Sequence, residues 1–318
     1  MPSIEPIIHF DRVGKVLCQV GESPLWSPTE QMLHWVDIEG RQVHRSGLTP
    51  GEQARWALPE RPACLALHAD GGLVCALESS VVQLTLQADG QSSIAPMATV
   101  QHPAEGMRFN DGRCDRHGAF WVTSMVMNMG LASPLGQLFR LDRQGLTVAD
   151  VPPLVVPNGL AFSPDGRCLY LSDSHATVRR IWRFAHDPDD GRLGPPSLFV
   201  DMNQHPGRPD GAAVDTDGCY WTCANDAGLL HRFRPDGRLD RSIAVPMKKP
   251  SMCAFGGPRL DELYITSIRP PQAAVADGAD AAVAAVAADS AWAGATVVCR
   301  PGQQGLPERP WGAHAKGD

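Results

Sequence analysis

Three short segments of this chain set hard oxygen donors in similar surroundings. They are Gly21-Glu22-Ser23-Pro24, Pro157-Asn158-Gly159 and Pro209-Asp210-Gly211. Two carboxylates and one amide oxygen suit Ca2+, Mg2+ or Mn2+, and Zn2+ less typically. Two anionic ligands neutralise a divalent ion and leave a Lewis acid with open positions. Taken singly, each signal is weak. A Pro-Asn-Gly or Pro-Asp-Gly is most often a plain turn, and a lone glutamate is most often a solvated charge. The joint case rests on the position each residue holds within a repeat.

That repeat runs through the chain. An apolar or aromatic strand comes first, then a turn carrying Asp or Pro with Gly, then a second strand ending in polar residues, then a third. Residues 158–184 show it best: Asn158-Gly159-Leu160-Ala161-Phe162, the turn Ser163-Pro164-Asp165-Gly166, the strand Cys168-Leu169-Tyr170-Leu171, and Ile181-Trp182-Arg183-Phe184. In the turn, Pro fixes φ, Asp bonds its own backbone and Gly accepts positive φ. The same order recurs around Leu25-Trp26, Leu65-Ala66-Leu67, Phe120-Trp121, Tyr220-Trp221 and Ala254-Phe255. Six such units, each of three or four strands, have the size and content of propeller blades. The expected fold is therefore all-β, a six-bladed β-propeller filling residues 1–318 as one domain. An Ala-rich insertion over 273–293 interrupts the last blade. Its weak amphipathicity and Gly278 favour a loop over a stable helix.

Laying the units over one another aligns the residue just before each first strand: Glu22, Cys64, Asn110, Asn158, Asp210 and Ser251. If the first strand is innermost, blade symmetry sets these six around the mouth of a central channel. Glu22, Asn158 and Asp210 then face one another across it, at a metal site.

Composition narrows the function classes. With 28 basic and 35 acidic residues the formal charge is −7, which lacks the electrostatic footprint of a nucleic-acid binder. No apolar run is long enough to span a membrane, and no secretory leader opens the sequence. The nine scattered cysteines read as reduced thiols of a cytoplasmic protein. The 31 Gly and 28 Pro require many turns, in keeping with short strands. There is no Gly-x-Ser-x-Gly nucleophile elbow, phosphate-cradling loop or compact zinc-helix spacing. Cys219 and Cys223 share one strand face and read as core. His175 and His205 read as loop histidines. Trp26, Trp35, Trp121, Trp182 and Trp221 read as sheet-packing residues.

Five ordered motifs carry a resemblance to the gluconolactonase/regucalcin (senescence marker protein) family. They are Gly21-Glu22-Ser23-Pro24-Leu25-Trp26, Arg108-Phe109-Asn110-Asp111-Gly112, Pro157-Asn158-Gly159-Leu160-Ala161-Phe162-Ser163, Pro209-Asp210-Gly211-Ala212 and Cys253-Ala254-Phe255-Gly256-Gly257. The resemblance covers about residues 14–272 and the 294–308 tail. It implies a six-bladed propeller with one catalytic divalent metal, which is Ca, Zn, Mg or Mn, and hydrolysis of a small lactone, usually of an aldonic acid. It puts the metal ligands on Glu22, Asn158 and Asp210, and substrate contacts on Arg108 and Asn110. Asp210 is the candidate general base, with metal hydroxide as the rival nucleophile. Many sugar lactonases also carry a glutamate near the end of the following strand. Here that stretch is Thr123-Ser124-Met125-Val126-Met127-Asn128-Met129, so Asn128 would supply the hydrogen bond without the charge, beside an apolar rim. The expected partner is a lactone, with no nucleic acid and no membrane, in a monomer or weak homo-oligomer. The alternatives are a calcium-holding or interaction propeller without turnover, and a hydrolase of other esters or phosphotriesters at the same metal.

Overall fold

Turn chemistry and buried tryptophans build each blade. The computed structural model describes residues 8–47, 52–269 and 291–313. In the Ser163–Gly166 turn, Gly166 has φ 71° and its N–H donates to the Ser163 carbonyl at 2.9 Å. Asp165 accepts from the Arg167 N–H at 3.1 Å and from the Ser163 hydroxyl at 2.6 Å. A second device appears twice. Asp115 accepts from the N–H groups of His117 and Ala119 through one oxygen and from the Trp121 indole N–H at 2.9 Å through the other. Asp215 does the same for Asp217, Cys219 and Trp221. The carboxylate thus closes the turn and fixes the indole of the next strand, leaving none of these buried polar groups unpaired.

Twenty-four strands form six four-stranded antiparallel sheets. Strand β1 (Asp11–Leu17) precedes the first blade, which comprises β2 (Gly21–Ser27), β3 (Met32–Asp37), β4 (Gln42–Gly47) and β5 (Gln53–Ala57). Then come β6 (Cys64–Leu67), β7 (Leu73–Ala76), β8 (Ser80–Leu86) and β9 (Ser92–Thr99). The third blade holds β10 (Met107–Cys114), β11 (Phe120–Val126), β12 (Leu138–Asp142) and β13 (Gly145–Val148). The fourth holds β14 (Pro157–Phe162), β15 (Cys168–Asp173), β16 (Arg180–Ala185) and β17 (Ser197–Asp201), and the fifth β18 (Arg208–Val214), β19 (Tyr220–Asn225), β20 (Leu229–Phe233) and β21 (Leu239–Ala244). The last blade has β22 (Pro250–Gly256), β23 (Glu262–Ser267) and β24 (Ala295–Cys299), and takes β1 as its outer strand. The amino-terminal strand therefore closes the ring, a role its polar, exposed sequence did not advertise.

The first strands β2, β6, β10, β14, β18 and β22 each contact the next in turn, and β22 returns to β2, so they line the axis of a six-bladed propeller. Apolar side chains fill the space between neighbouring sheets, with Trp26, Trp35, Trp121 and Trp221 fully buried. Trp182 is only half-buried. The carboxy-terminal tail runs from the fifth blade to the third: Gly305 bridges to Asp215, Glu308 pairs with Arg113 at 2.8 Å, and the Trp311 indole donates to the Leu141 carbonyl. All nine cysteines are unpaired thiols, Cys219 and Cys223 both buried as expected. Among the described residues no helix is long and apolar enough to cross a membrane. Most of the Ala-rich stretch at 273–293 lies outside the described residues.

Candidate active site

Five of the six inner strands lose register with their partner just after they begin. The shifts fall between Glu22 and Leu25, Phe109 and Gly112, Asn158 and Ala161, Pro209 and Ala212, and Pro250 and Cys253. Such an irregularity bends the strand and re-aims its side chains. It occurs where the repeat places Glu22, Asn110, Asn158, Asp210 and Ser251. The glycines of the two Pro-x-Gly motifs permit the close approach. Gly159 has φ 61°, and a Cβ on it would lie 2.4 Å from the Tyr220 hydroxyl and 2.9 Å from the Asp210 carbonyl oxygen. A Cβ on Gly211 would lie 2.4 Å from the Met252 Cβ.

Asn158 and Asp210 meet across the boundary between the fourth and fifth blades. The Asn158 Nδ2 donates to Asp210 Oδ1 at 2.5 Å, and the Asn158 Oδ1 accepts from the Gly159 N–H at 3.0 Å. The Asn225 Nδ2 donates to Asp210 Oδ2 at 2.6 Å. Asn158 and Asp210 are 6% and 5% exposed, so their charges and dipoles act with little screening by solvent. Burial raises the Asp210 carboxyl to about 7, against the pull of Arg208 and the Asn225 hydrogen bond. Burial also raises Glu22 well above the usual carboxylate range, and the neighbouring charges of Asp210 and Asp111 push it further. The half-buried Glu22 and the buried Asp111 and Asp210 are close enough for their charges to raise one another, and a divalent cation would relieve this. Glu22, Asn158 and Asp210 thus form a donor set that fits a hard cation.

Arg108 and Asn110 sit beside this set. Arg108 Nη1 donates to the Asn110 Oδ1 at 2.9 Å and to the Phe109 carbonyl at 2.7 Å. The Asn110 Nδ2 donates to the Pro157 carbonyl at 3.0 Å, one residue before Asn158. Burial holds the Arg108 guanidinium below its usual range, while Glu39 and Glu22 favour its charge. Asn128 lies further out. It is exposed, and its Oδ1 accepts from the Gly130 N–H at 3.2 Å, capping the short 3-10 turn Met129–Leu131. That loop reaches the fourth blade where the His175 ring meets the Met129 carbonyl at 3.1 Å. His205 packs on His231 and Phe233 of the fifth blade.

Two residues of the site were not singled out from sequence. Asp111 is buried, with one oxygen accepting from the Leu160 N–H at 2.7 Å and its Oδ1 without a partner among the described residues. It stood inside the quoted Asn110-Asp111-Gly112 motif, but adjacent residues of a regular strand point to opposite faces, and only the register shift changes that. Asn225 ends β19, the polar close of a second strand, a position that by itself does not mark a site residue.

The sequence profile of the SMP-30/gluconolactonase/LRE-like region matches residues 20–269. The chain is 38% identical over 251 residues to the 6-deoxy-6-sulfogluconolactonase of Pseudomonas putida, covering 79% of this chain and 84% of that protein. It is 32% identical over 271 residues to the L-arabinolactonase of Azospirillum brasilense, covering 85% and 87%. Among solved structures, regucalcin from Agrobacterium tumefaciens, described as a calcium-binding protein, superposes with a TM-score of 0.82 at 25% identity over 96% of this chain and 98% of that one. A luciferin-regenerating enzyme gives the same TM-score at 24% identity, covering 96% and 99%. With its profile match, its lactonase relatives and its six-bladed architecture, the chain belongs to the SMP-30/gluconolactonase/LRE-like family.

Proposed function

We propose that this protein opens the ring of a small sugar lactone by hydrolysis, using a divalent cation held by Glu22, Asn158 and Asp210. The observation that carries the reading is the convergence of Glu22 and Asp210, both raised by burial and Glu22 also by Asp210's charge, with the Asn158 amide at one end of the channel. The sulfogluconolactonase and arabinolactonase relatives support the substrate class. The bound cation would polarise the lactone carbonyl, offset the developing oxyanion and lower the pKa of a water molecule.

The chain's own residues supply the rest. Asp210 accepts the proton of the attacking water, and the Asn158 and Asn225 amides hold both of its oxygens in place. Arg108, fixed by the Phe109 carbonyl and the Asn110 amide oxygen, directs its remaining N–H groups to the substrate and favours the anionic acid product. Asn110 couples that position to the backbone preceding Asn158. The loop carrying Asn128 supplies the rim. Met127 and Met129 are 37% and 46% exposed there, favouring a less densely hydroxylated edge of the substrate.

The reading is tested with purified protein and a panel of aldonolactones and simple aliphatic lactones, following acid release before and after EDTA treatment and metal return. Metal-dependent acid release is the expected result. Metal binding with no release on any lactone would replace this reading with a cation-holding propeller without turnover.

A further inference from the structure

A second cluster of metal-ligating side chains lies on the first blade and the segment leading into it. Cys18, Asp37 and His44 bring one ligand atom each to within 4.8 Å of one another. All three are buried, at 0%, 6% and 2% exposure. Cys18 lies on the connection from β1, the strand that closes the ring, to β2 of the first blade. Its N–H donates to the Gly294 carbonyl of the last blade at 2.8 Å. Asp37 and His44 come from β3 and β4 of the first blade. The cluster therefore bridges the segment on which ring closure depends.

His44 gives the independent signal. Neither of its ring nitrogens has a hydrogen-bond partner among the described residues, although the ring is buried and stacks on Trp35 at 5.3 Å. A buried imidazole with both nitrogens unpaired forfeits at least one hydrogen bond it could make in water. Asp37 is already oriented. Its Oδ1 accepts from the N–H groups of Val20 and Gly40, both at 3.0 Å, and its Oδ2 from that of Gln19 at 2.9 Å. Such outer hydrogen bonds fix a ligating carboxylate.

We propose that Cys18, Asp37 and His44 form a second metal site that holds a zinc-like ion through three protein ligands. Thiolate, imidazole and carboxylate together suit zinc and differ in kind from the all-oxygen set at the channel mouth. Bonds of about 2.0–2.3 Å place tetrahedral ligand atoms about 3.4–3.6 Å apart, so the cluster needs only a small side-chain adjustment. On binding, the Cys18 thiol gives its proton to solvent. The thiolate and the Asp37 carboxylate then neutralise the divalent ion, so the buried site carries no net charge. Loaded, the site ties the ring-closing segment to the first blade.

Cobalt substitution tests this in the full-length protein produced in cobalt-supplemented medium. One equivalent should show a near-ultraviolet thiolate-to-cobalt charge-transfer band. Cys18→Ser should abolish the band and leave lactone hydrolysis intact, and His44→Gln should weaken cobalt binding by roughly tenfold or more. Asp210→Ala should keep the band while losing activity, which separates the two sites whatever the fate of the lactonase reading. No band in the unaltered protein, or a band that persists in Cys18→Ser, overturns the proposal. If the variants do not fold, X-ray absorption of the zinc-loaded unaltered protein decides. One sulfur at about 2.3 Å supports the site, and a shell of nitrogen and oxygen alone overturns it.

Discussion

Asp210→Asn should make the metal-free protein more stable at alkaline pH while removing its activity. In the folded chain burial raises the Asp210 carboxyl to about 7, roughly three units above its ordinary value. At 1.36 kcal/mol per unit, keeping this group ionised at pH 8 costs the metal-free fold about 4 kcal/mol. The sign follows from the direction of the shift. The folded state holds this proton more tightly than the unfolded chain, so the contribution to stability is fully present below about pH 4. It is lost as the pH rises through about 7. Asparagine removes the charge, but one of its two termini becomes a donor facing an amide that also donates. Reorienting Asn158 or Asn225 to accept instead costs about 1–3 kcal/mol of lost hydrogen bonding. The net gain is then roughly 1–3 kcal/mol at pH 8, shrinking towards pH 5 as Asp210 takes up its proton. Urea unfolding in the presence of EDTA at the two pH values measures it. Saturating divalent metal should reverse the order, because only the unaltered protein gains binding energy in the folded state. A metal-free Asp210→Asn protein no more stable than its parent at pH 8, and equally stable relative to it at pH 5, would refute the claim that Asp210 is a strained carboxylate awaiting a cation.

Other substitutions probe the neighbouring contacts. Asn225→Ala leaves Asp210 Oδ2 without its amide donor and should weaken metal affinity about tenfold to a hundredfold in a calorimetric titration. Arg108→Ala should lower kcat/KM about tenfold to a hundredfold, the worth of a hydrogen bond from a charged donor, while metal affinity changes little. Gly211→Ala drives a Cβ into the Met252 side chain and should lower stability by about 1–3 kcal/mol, seen as a reduced denaturation midpoint, without changing the donor set.

The sequence carried the fold because one turn chemistry repeats. Pro164-Asp165-Gly166 and the pair Asp115…Trp121 and Asp215…Trp221 close their turns through contacts among neighbouring residues, so local spacing reveals them. The same periodicity brought Glu22, Asn158 and Asp210 into one phase although 136 and 52 residues separate them. What stayed hidden depends on departures from the repeat. Asp111 enters the site through a register shift, and Asn225 reaches Asp210 from the second strand of its blade. Strand β1 completes the last blade from the opposite end of the chain, a pairing without local periodicity of its own. Asn128, expected from its place in a motif to contact substrate, uses its oxygen to cap the Met129–Leu131 turn, a local contact that the motif does not reveal. The cluster of Cys18, Asp37 and His44 was equally illegible, because its spacing matches no compact ligand pattern and arises from packing a closing segment against two strands.

The most direct test of the central claim is the rate of lactone opening by metal-stripped protein as a divalent ion is returned. The rate should fall to background on stripping and rise in proportion to occupancy up to one equivalent at the channel-mouth site, with Glu22→Gln and Asp210→Ala both failing to recover. Hydrolysis that persists in protein shown by elemental analysis to be free of metal, or that survives in Asp210→Ala, would contradict it.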